Sequence, residues 1–250
     1  MTAPDQGGTQ APDRIALDLW IPEQGLFAAL RVGGGAAGFV TAAGATLHAG
    51  GSAVELTGDK ALLETDTVRL EGELRTGTPP ATVSAAGLRR AAELVEVGGT
   101  VMRNGKPAAL RGRGVLARSW SDADGAARRR FVTAATDDGA LLSLVALRAD
   151  AGAPHGDEVV TGQLADSQSD NGAGAFEDIR LSTIYGPGGL PRTAGAELYR
   201  PGDEFPARLS GEAVAGSVLD LGGTGIAICF FRWTLVGRPG WGAYEIEPAP

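Results

Sequence analysis

Cysteine, lysine and histidine are nearly missing from this chain of 250 residues, which has one Cys (Cys229), two Lys (Lys60, Lys106) and two His (His48, His155). A single cysteine excludes an intrachain disulfide, and its place in the apolar run Ile226-Ala227-Ile228-Cys229-Phe230 reads as a small core residue. The histidines and the cysteine lie far apart and make no metal-ligand spacing. Carboxylates at Asp166, Asp170 and Asp178 could gather around calcium, but no Asp-x-Asp-x-Asp-Gly loop is present, so neither a metal nor another cofactor is expected. A Gly-x-Ser-x-Gly elbow is also lacking, which argues against a serine hydrolase, and His155 in Ala-Pro-His-Gly-Asp reads as a solvated turn residue. No run of about 18 apolar residues occurs, and the opening MTAPDQGGTQAPDR has neither the basic nor the apolar region of a leader. These absences point to a soluble, cytoplasmic protein with no membrane partner and a disordered tail over residues 1–14. The net charge of −8 repels phosphate backbones, so no nucleic-acid partner is expected. The run Arg128-Arg129-Arg130 reads as a solvated strand end. The oligomeric state leaves no signature in the sequence.

What is present is the punctuation of antiparallel β structure: short apolar runs separated by Gly, Asn-Gly and Asp-Gly turns from Ile15 onward, with 39 glycines in all. Hairpins are predicted for 93–110, turning at Asn104-Gly105, and for 131–148, turning at Asp137-Asp138-Gly139. The strand around Leu142–Leu147 is apolar on both faces and is expected to be covered on both sides. A third hairpin joins 225–236 to 241–246 through Gly237-Arg238-Pro239-Gly240, with the proline in the connection. One short helix is predicted at 85–93, AAGLRRAAE. No repeat of constant spacing suggests a solenoid or propeller. Glycine-rich turns at Gly112–Gly114, with strand patterns of similar density on either side, divide the chain into an N-terminal β domain over residues 15–112 and a C-terminal β domain over residues 113–250. LDLGGTG, residues 219–225, has the look of a phosphate-binding turn, but a plain β-turn accounts for it.

Aromatics are few, fourteen in all, yet Phe230, Phe231, Trp233, Trp241 and Tyr244 fall within fifteen positions. Alternation along 226–236 puts Ile226, Ile228, Phe230, Arg232 and Thr234 on one face, and Ala227, Cys229, Phe231, Trp233 and Leu235 on the other. Arg232, on an otherwise apolar face, must end in solvent or find a partner such as Glu197, Tyr199 or Glu245.

Two stretches carry a family resemblance. GRGVLARSW, residues 112–120, closes the hairpin LVEVGGTVMRNGKPAAL; GLPRTAGAELY is followed later by FFRWTLVGRPGWGAYEIE. Over residues 90–250 this resembles the calycin-type proteins related to carotenoid 1,2-hydratase (hydroxyneurosporene synthase). In that group a Gly-x-Gly turn leads into a strand ending in Trp, and the chain finishes on Gly-Arg-Pro-Gly-Trp-Gly-x-Tyr-Glu. The resemblance implies an all-β chain of two lipocalin-like antiparallel β-barrel or sandwich domains packed together, with an apolar pocket in or between them. The group holds hydratases of polyene lipids and also cofactor-free cyclases of natural-product biosynthesis, among them Diels-Alderases that form decalins. Where family members commonly have Asp-His or a similar polar pair before the Trp, this chain has Ala117-Arg118-Ser119-Trp120. Arginine is no acid for protonating an alkene, which leaves Glu197 or Glu245 for a hydratase or isomerase of terpenoid lipids.

The resemblance therefore implies a cofactor-independent cyclase, an intramolecular [4+2] pericyclase folding an apolar polyketide-like polyene. Arg232, Tyr199 or Arg118 would polarise a carbonyl, and Trp120, Trp233, Trp241, Tyr244 and Phe230 would shape the cavity. A lipocalin-like carrier that binds an apolar molecule unchanged is the reading outside enzymology.

Overall fold

A computed structural model of the chain describes residues 11–121, 128–150, 157–166, 174–202 and 204–248. His155, Asp170, most of the 166–174 stretch and much of the N-terminal tail lie outside these. The described chain is two antiparallel sheets. The first holds β1 (Arg14–Ile21), β2 (Leu26–Val32), β3 (Ala36–Ala42), β4 (Ala45–Gly50), β5 (Val54–Thr57), β6 (Lys60–Glu64), β7 (Val68–Thr76), β8 (Ala81–Ala85), β9 (Leu88–Arg103) and β10 (Lys106–Ser121). Its order is β4-β3-β2-β1-β10-β9-β7-β6-β5, with β8 added on β9. The second holds β11 (Arg128–Thr136), β12 (Leu141–Arg148), β13 (Val159–Ala165), β14 (Gly174–Ala175), β15 (Asp178–Tyr185), β16 (Pro191–Tyr199), β17 (Ala207–Leu221), β18 (Thr224–Leu235) and β19 (Arg238–Pro248), in the order β14-β13-β12-β11-β19-β18-β17-β16-β15. Gly112 and Gly114 lie within β10, and the chain changes sheet between Ser121 and Arg128. Each sheet curls around its own apolar interior, giving two lipocalin-like domains packed against each other.

The hairpins at Asn104-Gly105 and at 137–139 form as the turn chemistry predicts, β9 with β10 and β11 with β12. Every residue of β12 is buried, so this strand is covered on both faces. LDLGGTG is a hairpin turn between β17 and β18, where Asp220 Oδ1 accepts the Gly223 N–H at 2.7 Å. Two local expectations are corrected. Residues 85–93 are not helical: Ala86 and Gly87 sit at φ 43° and 78° and reverse the chain between β8 and β9. Pairing of β8 on the sheet overrides the helix propensity of alanine and arginine. The third hairpin turns at Val236-Gly237 (φ 51° and 77°), and Arg238, Pro239 and Gly240 already belong to β19. Pro239 is tolerated at that strand end, where its carbonyl accepts the Asp137 N–H at 3.1 Å.

The period of two along each strand splits the side chains between the interiors and the seam. Leu17, Leu19, Leu30, Leu63, Leu70 and Val97 fill the first domain, and Val132, Leu144, Phe231, Trp233 and Tyr244 fill the second. Between the domains lie Trp20, Phe27, Phe39, Leu141 and Phe230 among many alanines, flanked by a smaller cluster around Val83, Leu88, Phe131 and Val145. Burial of each large apolar side chain stabilises by about 1.5–3 kcal/mol. Phe27 and Phe230 meet across the seam at 5.4 Å between ring centroids.

A buried ion cluster also crosses this seam. Arg31, fully buried on β2, donates from Nη2 to Asp18 Oδ1 at 2.8 Å within its own domain, and from Nε to Glu245 Oε2 at 3.0 Å on β19. Arg14 reaches Glu245 Oε1 at 3.3 Å and also pairs with Glu247. Arg90 is buried over the Phe131 ring, 4.4 Å from its centroid, and donates to Ser119 Oγ at 3.1 Å. Burial pushes the Asp18 carboxyl up, and Arg31 offsets this only in part. Burial also opposes the Glu245 charge, but Arg31, Arg90 and Arg14 outweigh it and hold Glu245 below the ordinary glutamate value of 4.5.

Because the folded-state value of Glu245 is depressed, its contribution is fully present above 4.5 and is lost as pH falls through the lowered value. Glu245→Gln is therefore expected to destabilise by roughly 3 kcal/mol at neutral pH by leaving Arg31 under-compensated. The deficit should narrow in acid, where the wild-type group has itself been protonated. Asp18→Asn, removing a carboxyl that burial already disfavours, should be milder. Urea unfolding of both variants at neutral and acidic pH checks the order and the trend.

Candidate functional site

A concavity lies where the outer face of the first sheet runs past the seam. It is a groove of about 1330 Å³ between β5, β6, β7, β9 and β10, closed at one end by Trp241 and Asp137 of the second domain. Strand register places its side chains in cross-strand rows. One row reads Arg75, Glu96, Arg113, Trp20 and Phe27 across β7, β9, β10, β1 and β2. The neighbouring row reads Lys60, Glu73, Gly98 and Arg111. Arg113 Nη1 donates to the backbone oxygen of Asp137 at 3.1 Å and ties the groove wall to the second domain. Trp20, Ile21, Pro22 and Trp241 form an apolar end, and Trp241 packs on Phe27 at 5.7 Å between centroids. This groove is apolar at one end and charged along its length.

Apolar side chains pack the interiors of the two domains. In the second domain Trp233 stacks on Phe231 at 4.5 Å, and Tyr244 meets Phe231 edge-on at 6.0 Å. The Tyr244 hydroxyl accepts from Arg130 Nη1 at 2.8 Å and shares a hydrogen bond of 2.7 Å with Thr183. Arg130 in turn pairs with Glu158, its Nε donating at 2.8 Å. Arg130 is 4% exposed, so the arginine run is not simply a solvated strand end: alternation sends Arg130 into the barrel while Arg129 approaches Glu247 at 4.0 Å. Burial raises the Tyr244 phenol above its ordinary value, and Arg130 only partly counters it.

The residues predicted for the site are dispersed. Trp241 alone lines the groove. Trp233 and Tyr244 are core of the second domain, and Phe230 is core of the seam. Trp120 is half-buried under Arg89, whose guanidinium carbon is 4.7 Å from the ring centroid. Arg118 pairs with Glu93 at 2.8 Å. Glu197 lies 3.5 Å from Arg208 and accepts from the Tyr199 hydroxyl at 3.4 Å, while Arg180 sits 5.1 Å from the Tyr199 ring centroid. Arg232 is exposed: its face of β18 is buried as far as Phe230 and then emerges into a second groove of about 510 Å³, with Glu212 opposite it on β17. Neither Glu197 nor Glu245 is Arg232's partner, because both are engaged elsewhere. Glu245, held as a carboxylate, is a poor donor of the proton that hydratase chemistry requires. Cys229 is buried, with its thiol pushed up to about 12, and is chemically quiet.

The sequence reading missed Trp20, Glu73, Glu96, Arg111 and Arg113. Their signal was a charge alternating with apolar residues in LEGELR, VEVGG and LRGRG. Among the described residues, no group of three or more His, Cys, Asp and Glu is placed to hold a metal ion, and no helix is long and apolar enough to cross a membrane.

No protein-family model matches the chain, and no curated protein does. Solved structures share its fold. An AttH candidate from Nitrosomonas europaea superposes with a TM-score of 0.71 at 14% identity, covering 100% of this chain and 97% of that chain. CghA, solved with Sch210972, superposes with a TM-score of 0.60 at 15% identity, covering 99% and 93%. At these identities the likeness is one of fold, and it supports a calycin-like architecture.

Removing one partner from the closed cluster in the second domain should be costly. Arg130→Met is expected to destabilise by about 3–5 kcal/mol, because it strands Glu158 as a buried charge. Adding Glu158→Leu should recover most of that loss. Chemical denaturation of the single and double variants tests whether the cluster is a structural plug.

Proposed function

We propose that the protein is a cofactor-independent cyclase of natural-product biosynthesis, with its substrate seated in the groove where the two lipocalin-like domains meet. The observation that carries this reading is the groove itself: about 1330 Å³, with Trp20 and Trp241 at one end and Arg111 and Arg113 along its wall. That volume accommodates a polyketide-like chain. A [4+2] cyclisation needs the chain folded so that diene and dienophile meet, and a cation or N–H donor on a conjugated carbonyl. Trp241 would serve as the surface against which the polyene folds. Arg113, opposite Trp20 on the neighbouring strand, would polarise the carbonyl, a role moved from Arg232, Tyr199 and Arg118, which face elsewhere. CghA, a structure of the same fold, was solved with Sch210972, which supports ligand binding as a use of this architecture.

A second reading, a carrier, is favoured by one feature: the groove is open to solvent, where a cyclase gains from excluding water.

Linear polyenes bearing a conjugated carbonyl are expected to cyclise faster with the purified protein than alone, to one stereoisomer and without uptake of solvent deuterium. Trp241→Ala should slow this at least tenfold. Spontaneous rate and stereochemistry in the presence of protein would sink the cyclase. Deuterium in the product would point instead to a hydratase or isomerase, and tight binding with unchanged ligand to a carrier.

A further inference from the structure

Gly98 occupies the middle of the groove floor without a structural reason to be glycine. Its neighbour Gly99 has one, since a Cβ there would stand 2.1 Å from the Glu71 carbonyl oxygen. At Gly98 a Cβ would meet nothing within 4 Å, and the backbone is outside the left-handed region. The missing side chain leaves bare backbone between Glu73 on β7 and Arg111 on β10. These two charges stand two strand spacings apart, roughly 10 Å at the Cα atoms. None of Lys60, Glu73, Arg75, Glu96 and Arg111 forms a salt bridge with another described residue, so the groove's opposite charges are not satisfied by one another.

Resting on the groove as the substrate site, we propose that it selects a ligand with an amino-acid-like head group. In such a head an ammonium or N–H donor sits next to a carboxylate. Seated on Gly98, it points its nitrogen at Glu73 and its carboxylate at Arg111. One charge-assisted contact on each side would hold the head between the two strands. A lone carboxylate would meet Arg111 but leave Glu73 facing it, and a lone amine would do the reverse. The apolar remainder of the ligand runs toward Ile21, Pro22 and Trp241, where the charged rows give way to aromatic surface.

Calorimetry on the full chain with three probes of matched tail, 2-aminododecanoic acid, dodecanoic acid and dodecylamine, tests this. The amino acid is expected to bind at least tenfold tighter than either single-charge probe. Glu73→Gln should erase its advantage over the fatty acid, and Arg111→Gln its advantage over the amine. Gly98→Leu, which fills open space on an extended strand, should abolish the preference at an unchanged melting temperature; Gly98→Ser gives a smaller version of the same block. Equal binding of all three probes, or full preference in Gly98→Leu, overturns the head-group assignment and leaves the groove reading standing. Binding of none of them overturns both.

Discussion

Arg31 is the constraint on which the arrangement of the two domains depends. A guanidinium with no solvent exposure is tolerated only when its charge and its donors are met, and an unpaired buried charge costs several kcal/mol. Its own domain supplies one carboxylate, Asp18, and the carbonyls of Leu17 and Leu30 at 3.3 and 3.0 Å. The second carboxylate, Glu245, comes from the other domain, on a strand 214 residues away in the chain. The guanidinium is therefore satisfied only when β19 lies against β1 and β2 in one register. Apolar burial is non-directional; the ion cluster supplies the directional contact that the apolar seam lacks.

Once that register is set, the groove follows from strand length. Strands β9 and β10 each run 16 residues, longer than the face the second domain covers. Along their shared outer face Ala92, Leu94, Val115 and Ala117 lie under the seam. Further along that same face come Glu96, Gly98, Arg111 and Arg113, in the groove. One alternation thus encodes core where the face is covered and charge where it emerges. The second domain shows the same transition on β18, with Phe230 under cover and Arg232 beyond it.

Much of the fold was legible because its signals are local. Asn104-Gly105 and the 137–139 turn fix two hairpins, and the apolar run of β12 announces a strand buried on both faces. The segment 85–93 misled because alanine and arginine favour a helix in isolation, whereas pairing with β10 and β8 decides the outcome in the sheet. The aromatic tail was legible in its alternation but not in its destination: Phe231, Trp233 and Tyr244 turn inward, Phe230 turns to the seam, and only Trp241 reaches the groove. Single charges stand inside apolar runs: Asp18 in ALDLWI, Arg31 in AALRV and Glu245 in AYEIE. That they complete one another depends on the packing of distant strands, which no local pattern contains. The same holds for the groove, whose rows are read across β6, β7, β9 and β10 rather than along any of them.

A fold of this kind does not by itself fix where a concave surface forms. The interior of a small barrel is limited, and it is either filled by side chains or left open to hold a ligand. In the second domain the interior is filled, by Trp233 stacked on Phe231 and by Arg130 with Glu158, Tyr244 and Thr183. Leucines and valines fill the first domain in the same way. The groove lies instead on the outside of a sheet. There the second domain contributes the end wall, and Arg113 and Trp241 join the two halves. A site built in this way inherits its shape from the docking of two domains and its chemistry from solvent-facing residues. Because those residues are under little packing constraint, the fold does not dictate the chemistry of the groove.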